Sequence, residues 1–403
     1  RSKKEYEQNI IDGLEWLGIT WDNKQIYRQS ERLEIYEKYL KKLLDSGAAF
    51  WCDHTKEELE AEQKEQMAKK EALRHVCSHK KDSRDKGEII RLAVDENSTR
   101  VIHFDDAIRG TIEWEERLIG NLSLAKDLRT PLYNFAVVTD DVDMDISHVI
   151  RGEDHISNTP KQILIYEALG IKPPIFAHLP LILGSDRSKF SKRHEATSVL
   201  DYKKDYLPEA LVNFMGFLGY TYSKEILSKE EMAEAFELKK VHKSAAVFNI
   251  EKLNWLNSQY IRNLEIEKLR NLTRVKEIPE KALPLITERL EKLSDVGNFD
   301  YFWKEPHYDS NLLGWKNFSK NEIKNSLEKA RNIIEGWNWA DKNALRLLLD
   351  DLGKKIGDRG LVYWPFRVAL TGREKSPDPV EVASVLDKEV VLKRIDAAVD
   401  KLQ

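Results

Sequence analysis

Five consecutive residues, Lys189-Phe190-Ser191-Lys192-Arg193, put three cations and a hydroxyl on one short stretch, after a predicted strand and the polar turn Gly184 to Ser188. Such a loop suits a polyphosphate. As pyrophosphate leaves, negative charge grows on its oxygens, and ammonium groups already in place stabilise that charge more than the ground state. Taken alone, the same residues also describe a solvated basic turn. A second stretch, Val149-Ile150-Arg151-Gly152-Glu153-Asp154-His155, sits at the carboxyl end of a predicted strand just ahead of a helix, where open parallel sheets bind ligands. Arg151 can hold a carboxylate through two parallel N–H donors. Gly152 allows backbone to approach a ligand, and Asp154 can accept from a ribose or an ammonium group. A structural ion pair to Arg151 is the competing reading. A third stretch, Pro131 to Phe135, offers Tyr133 as a ring wall with one hydroxyl; by itself such a tyrosine reads more readily as core.

The chain has only two cysteines, Cys52 and Cys77, too few for a disulfide framework and in keeping with a reducing compartment. Each is followed two positions later by a histidine, in Cys52-Asp53-His54 and Cys77-Ser78-His79. Two thiolates and two neutral imidazoles suit tetrahedral zinc. The pairs flank a charged helical stretch that can fold back as a hairpin, and His75 is a substitute ligand. Two buried thiols with incidental surface histidines are the alternative.

These residues need a scaffold. Tyr6, Ile10, Leu14 and Leu17 recur at helical spacing, as do Leu33, Tyr36, Leu40 and Leu43, closed by Gly18 and Gly47. Thr55 with Glu58, and Ser228 with Glu231, read as capping boxes, and Asn249 as a cap for the helix holding Leu253 and Trp255. The charged helix after Thr55, to about Lys70, is polar nearly all round. Glu88 to Phe104 predicts short strands joined by a turn at Asp95 to Ser98. Phe135 to Val138 and His148 to Ile150 read as buried strands with an acidic turn, Asp140 to Asp145, between them, so Tyr133 opens a strand. Thr159-Pro160-Lys161-Gln162 reads as a helix start in which threonine caps, proline takes the first turn and glutamine reaches back. That helix runs to Gly170 before Pro173-Pro174, and Leu179 to Leu183 is a further strand. Strand, helix, strand is the unit of a parallel sheet. Beyond about Asp201 the pattern is helical.

At 403 residues, with 41% hydrophobic and 33% charged residues, the chain should form two to four domains with long solvated helices. A net charge of −4 argues against a non-specific DNA coat and leaves any nucleic-acid partner to local basic patches. Lys239, Lys240 and Lys243 form one such cluster, which also fits a solvated face. No apolar run is long enough for a membrane helix and no signal-peptide pattern opens the chain, so a soluble cytoplasmic protein is expected.

Taken in order, Tyr133-Asn134-Phe135-Ala136-Val137-Val138, His148 to His155, Ser157 to Gln162, and the Lys189 to Arg193 loop with His194 and Ala196 strongly resemble bacterial glutamyl-tRNA synthetases. The likeness extends from Glu5-Tyr6-Glu7-Gln8 and Gly13 to Gly18, through Asn254 to Asn257 and Tyr260 to Arg262, to Arg367 to Gly372. It implies a multidomain α/β plus α protein. A Rossmann-type parallel sheet, with residues 1–45 as the remainder of its first half and 128–200 as its second, is interrupted by an inserted α+β acceptor-binding domain at 46–127. A helical stem-contact region (201–264) and an all-α anticodon-binding domain (265–403) follow.

The resemblance implies ATP-dependent activation of L-glutamate and its transfer to the 3′ end of tRNA(Glu), with Mg2+ as cofactor and tRNA(Gln) as an open second partner. Lys189, Ser191 and Lys192 would be catalytic. Asp154, His155, Lys189, Lys192 and Arg193 would bind ATP. Tyr133 and Arg151 would hold glutamate, and structural zinc would sit at Cys52, His54, Cys77 and His79. A monomer without membrane or DNA partners is the family's habit. Phe190 replaces a smaller aliphatic residue, and Glu195 a common glycine, changes that keep every cation but can stiffen the loop. The family's His-Ile-Gly-His-like ATP motif occurs nowhere in this sequence, and Arg1-Ser2 looks like the end of the stretch that follows it. The expectation is a synthetase truncated at its N-terminus, with a catalytically incomplete tRNA-binding fragment or paralogue as the alternative.

Overall fold

The computed structural model describes residues 3–23, 25–78, 87–191, 198–339 and 341–403. In chain order the main elements begin α1 (Lys4–Trp16), α2 (Leu33–Asp45), β1 (Ala49–Cys52), α3 (Lys56–Lys69), β2 (Ile89–Leu92), β3 (Val101–Asp106), β4 (Gly110–Glu115), β5 (Ser123–Asp127) and β6 (Thr130–Pro131). They continue as α4 (Tyr133–Asp143), β7 (His148–Gly152), α5 (Thr159–Leu169), β8 (Ile175–Leu179), β9 (Ile182–Leu183), α6 (Val199–Tyr202), α7 (Pro208–Phe217), α8 (Lys229–Ala235) and β10 (Ala246–Val247). The remaining helices are α9 (Ile250–Ile261), α10 (Ile266–Thr273), α11 (Leu283–Thr287), α12 (Lys320–Gly336), α13 (Lys342–Ile356), α14 (Arg359–Thr371), α15 (Pro379–Val385) and α16 (Lys388–Asp400). They fall into two compact units. One comprises residues 19–195 and 215–248; the other comprises 1–18, 196–214 and 249–403.

The first unit carries two four-stranded sheets. In one, of order β4-β3-β8-β7, strand β8 runs parallel to both β3 and β7, and β4 closes the β3 edge antiparallel. The other, β1-β2-β5-β6, is antiparallel throughout. Helices α2, α4 and α5 bury Tyr36, Leu40, Phe135, Val138, Ile163 and Ile165 in a core shared with Ile102, Phe104 and Phe176 of the parallel sheet. Polar ties fix the helices: Arg32 donates to Asp140 (2.8 Å) and Asp143 (2.7 Å), and the Tyr36 hydroxyl donates to Asp140. Helix α3 begins with the expected capping box on Thr55 and Glu58 and buries no residue.

Three sequence expectations are corrected. Phe135 to Val138 lies inside helix α4, which Tyr133 opens; a short apolar run does not distinguish a strand from a buried helix turn, and here both Phe135 and Val138 face the core. The acidic stretch is accordingly the end of that helix, where Asp140 and Asp143 receive Arg32. Strand β7 is present but is not buried: it is an edge strand, and Ile150 is 51% exposed. The strand expected at Leu179 to Leu183 is two strands, β8 ending at Leu179 and β9 spanning Ile182–Leu183, which pairs with β10.

The second unit is helical. Leu327, Ala330, Leu345, Leu349, Phe366, Ala369, Val391 and Ile395 are fully buried where α12, α13, α14 and α16 pack. Asn249 caps α9 through its side-chain oxygen. Trp337 is buried, and Trp303, Trp315, Trp339 and Trp364 pack against the same core, with Trp315 and Trp364 5.5 Å apart. Among the described residues no helix is long and apolar enough to cross a membrane.

Candidate active site and candidate metal centre

The carboxyl end of β7 and its neighbours gather Tyr133, Arg151, Asp154, His155, Thr159, Gln162, His178 and Lys189. Arg151 and His178 are opposed residues of the parallel pair β7 and β8. The Arg151 Nε–H donates to His178 Nε2 at 3.2 Å, and Nη2 donates to Thr159 Oγ1 and Gln162 Oε1, each at 2.8 Å. The helix start at Thr159 to Gln162 therefore does not form the expected capping box. Its polar side chains turn to the guanidinium, and no side chain caps α5.

These three partners of Arg151, and Tyr133, whose side chain also bonds the guanidinium, are neutral in this arrangement. Among the described residues Arg151 forms no ion pair, and the nearby acid Asp141 acts on it only through its field. Burial pulls the pKa of Arg151 below the ordinary range, against the opposing influence of Tyr133 and Asp141. A half-buried cation with no ion pair among the described residues, and only the longer-range field of Asp141, favours an anionic ligand. The protons on Nη1 are not engaged by Thr159, Gln162 or His178.

Tyr133, at the start of α4, points its hydroxyl to His155 Nδ1 at 3.2 Å, and Asn158 Nδ2 donates to the same nitrogen at 3.3 Å. Asn134 accepts from Gln162 Nε2 at 3.1 Å, tying the start of α4 to α5. Asp154 accepts from Lys189 Nζ at 2.7 Å, and that ammonium holds its carboxyl below the usual range. A Cβ at Gly152 would collide with the Asp154 carboxylate, so glycine there makes room for this side chain. Phe190 stacks on Phe248 with ring centres 4.7 Å apart, anchoring the start of the loop. Ser191 is exposed. Lys192 and Arg193 lie outside the described residues.

Sequence reasoning missed His178 and Asp106. The His178 Nδ1 lies 2.6 Å from Asp106 Oδ2, and both side chains are inaccessible to solvent. Burial opposes ionisation of Asp106, but the amides of Arg109, Ile108 and His178 and the His178 ring outweigh it, so its carboxyl sits below the usual range. Burial likewise pulls His178 down. A histidine inside the otherwise apolar strand β8 was the available signal for His178; Asp106, beside Asp105 at the end of β3, carried none.

In the antiparallel sheet region, Cys52, His54, His75 and Cys77 bring one donor atom each within 4.8 Å of the others. Cys52 Sγ is 3.4 Å from His54 Nδ1 and 3.5 Å from His75 Nε2; Cys77 Sγ is 3.6 Å from His54 Nδ1. Ligands around a tetrahedral zinc, with metal–ligand bonds near 2.0–2.3 Å, stand about 3.3–3.8 Å apart. The donor set therefore fits zinc in both chemistry and spacing. Glu62 Oε2 lies 2.6 Å from the far nitrogen of His75, the outer carboxylate that commonly orients a metal-binding imidazole. Gly120, at φ +67°, lets the chain pass against the His75 backbone, while Asn121 donates to His75 O and accepts from Cys77 N. The arrangement is Cys-x-His followed by His-x-Cys. The expected ligand His79 lies outside the described residues.

Comparison with known proteins places the chain in a family. Residues 1–255 match the family model described as tRNA synthetases class I (E and Q), catalytic domain, and residues 226–399 match an anticodon binding domain. A glutamate–tRNA ligase of Aquifex aeolicus is 41% identical over 100% of this chain and 90% of its own length, and one of Carboxydothermus hydrogenoformans is 38% identical over 98% and 89%. The crystal structure of a glutamate tRNA ligase from Elizabethkingia meningosepticum, in complex with its amino acid, superposes with a TM-score of 0.84 at 28% identity, covering 100% of this chain and 91% of that one. With a family model over more than half its length and relatives of this identity along all of it, the chain belongs to the class I tRNA synthetases (E and Q), among the glutamate–tRNA ligases.

Proposed function

We propose that this protein activates L-glutamate with ATP and transfers it to tRNA(Glu), with Arg151 receiving the side-chain carboxylate of glutamate. The observation that carries this reading is the half-buried guanidinium held by Thr159, Gln162 and His178 with no ion pair among the described residues. A carboxylate supplies the missing counter-charge, whereas the amide of glutamine would set its own N–H donors against those of arginine. Tyr133 contributes its hydroxyl beside the same cation.

In the first step the α-carboxylate of glutamate attacks the α-phosphate of ATP, forming glutamyl-adenylate and releasing pyrophosphate. Lys189, Ser191 and Lys192 would be the catalytic residues on the leaving group, and Asp154, His155, Lys189, Lys192 and Arg193 would bind ATP. The Lys189–Asp154 pair keeps that ammonium at the mouth of the site. Magnesium bound together with ATP would supply positive charge that offsets part of the charge on the leaving group. In the second step the terminal ribose hydroxyl of the tRNA attacks the adenylate carbonyl, the new ester forms as the acyl–phosphate bond breaks and AMP leaves, and positioning supplies most of the rate.

Cys52, His54, His75 and Cys77 would hold a structural zinc that fixes the inserted segment at 46–127 for the acceptor stem. Residues 201–264 would meet the stem and 265–403 the anticodon. The protein would act as a cytoplasmic monomer. The test is charging: the purified 403-residue chain with labelled glutamate, ATP and tRNA, with tRNA(Gln) in parallel. Charged tRNA(Glu) is expected. Retention of tRNA on a filter without charging would overturn the ligase reading and leave a binding fragment.

A further inference from the structure

Behind Arg151 lies a buried pair that touches no substrate. Asp106 ends β3 and His178 lies in β8, 72 residues later. The parallel β3–β8 pairing brings these strands together, and the β7–β8 register sets Arg151 opposite His178. The protonation of the imidazole follows from its neighbours. Arg151 Nε can only donate, so His178 Nε2 must accept, and the ring proton sits on Nδ1 and is donated to Asp106. A protonated ring would put two N–H donors face to face at 3.2 Å. Asp106 is itself held by the backbone amides of Ile108, Arg109 and His178. Arg109 bonds the His178 carbonyl through its Nε. The chain of bonds from the β3 terminus to the guanidinium thus has one consistent direction.

We propose that His178, oriented by Asp106, is a positioning residue that fixes the guanidinium plane of Arg151 and so sets both the affinity of the site for glutamate and its rejection of glutamine. This rests on the reading of Arg151 as the residue that receives the glutamate carboxylate. A guanidinium presents its paired donors in one plane. Loss of the acceptor at Nε2 frees that plane to rotate about the bonds to Thr159 and Gln162, and the Nη1 donors, which those three partners leave open, then no longer point at the carboxylate.

Three substitutions separate this role from simple packing. His178→Asn keeps an N–H donor toward Asp106 but has no acceptor reaching Arg151. His178→Gln restores an acceptor at the outer position. Asp106→Asn can turn an amide donor toward Nδ1 and force the other tautomer, whose Nε2–H opposes Arg151. Charging kinetics are measured with each substrate varied in turn, and glutamine misacylation is measured beside them. His178→Asn is expected to raise KM for glutamate roughly tenfold or more, the scale of one charged hydrogen bond, with KM for ATP and tRNA unchanged. His178→Gln should recover most of that loss. Asp106→Asn should reproduce the defect of His178→Asn wherever it folds, and discrimination against glutamine should fall with it. Equal loss in all parameters, or no difference between His178→Asn and His178→Gln, overturns the inference while native charging leaves the ligase reading standing. A native chain that charges no tRNA overturns the ligase reading and this inference with it.

Discussion

Lys189 Nζ lies 2.7 Å from Asp154 Oδ2, so the first cation of the loop is held against the acidic residue that follows β7. Both side chains are substantially exposed, at 60% and 41%, and such a pair contributes less than about 1 kcal/mol to folding. Its importance is therefore expected in turnover. Lys189→Ala should lower kcat for charging by about a hundredfold, the loss that follows removal of one transition-state donor. The melting temperature should stay within a few degrees of native. A melting scan beside steady-state charging measures both.

Arg151 should govern glutamate and little else. Arg151→Ala removes the partner of a bound carboxylate, a loss of about 2–5 kcal/mol, which is roughly thirtyfold or more in apparent affinity. Arg151→Lys should recover only a small part, because an ammonium cannot reproduce the three-way bonding to His178, Thr159 and Gln162. The check is KM for glutamate against KM for ATP; parallel rises in both would place Arg151 elsewhere in the mechanism.

The metal cluster predicts one zinc per chain, read by elemental analysis of the purified protein. Cys52→Ser, Cys77→Ser and His75→Ala should each release it and lower the melting temperature, whereas His79→Ala should retain it. Glu62→Gln, which weakens the carboxylate on His75, should lower zinc affinity about 10–100-fold. Retention of zinc in His75→Ala with its loss in His79→Ala would make His79 the fourth ligand.

Burial holds the pKa of His178 below its ordinary value in the fold. The unfolded chain takes up its proton near pH 6.5, the value of a free imidazole, and the folded chain only at lower pH. Stability from this group is thus fully present above about pH 6.5 and is lost as pH falls toward the folded value. Melting temperatures at pH 7.5 and pH 5.5 should therefore differ less for His178→Gln than for the native chain. His75 is depressed by burial as well, so the comparison between the two proteins carries the result, not the total shift. An identical acid slope in both would show that His178 does not contribute.

The helix limits were legible wherever a local chemical signal marks them. Thr55 with Glu58 and Ser228 with Glu231 form the expected capping boxes, and Gly170 ends α5 at φ +71°. The same reasoning misplaced Thr159 and Gln162. Their residue types and spacing satisfy a capping box, yet a guanidinium from β7 competes for the same oxygens and wins with charge-assisted bonds. Phe135 to Val138 was misread for another reason: a few apolar residues in a row fit a strand or a buried helix turn equally, and only the packing of α4 on α2 and α5 decides.

The sequence alone determined the family, because motifs in fixed order along the whole chain are far more specific than any one of them. It also placed Arg151 at a strand end and reserved both cysteines for one cluster. Tertiary structure decided what those residues meet. His75 joins Cys52 across 23 positions, Asp106 meets His178 across 72, and Arg151 faces His178 across 27. Caps and periodicity record neighbours within about one turn of chain. Partners this distant in sequence are set by strand register and by which polar groups burial forces to find one another.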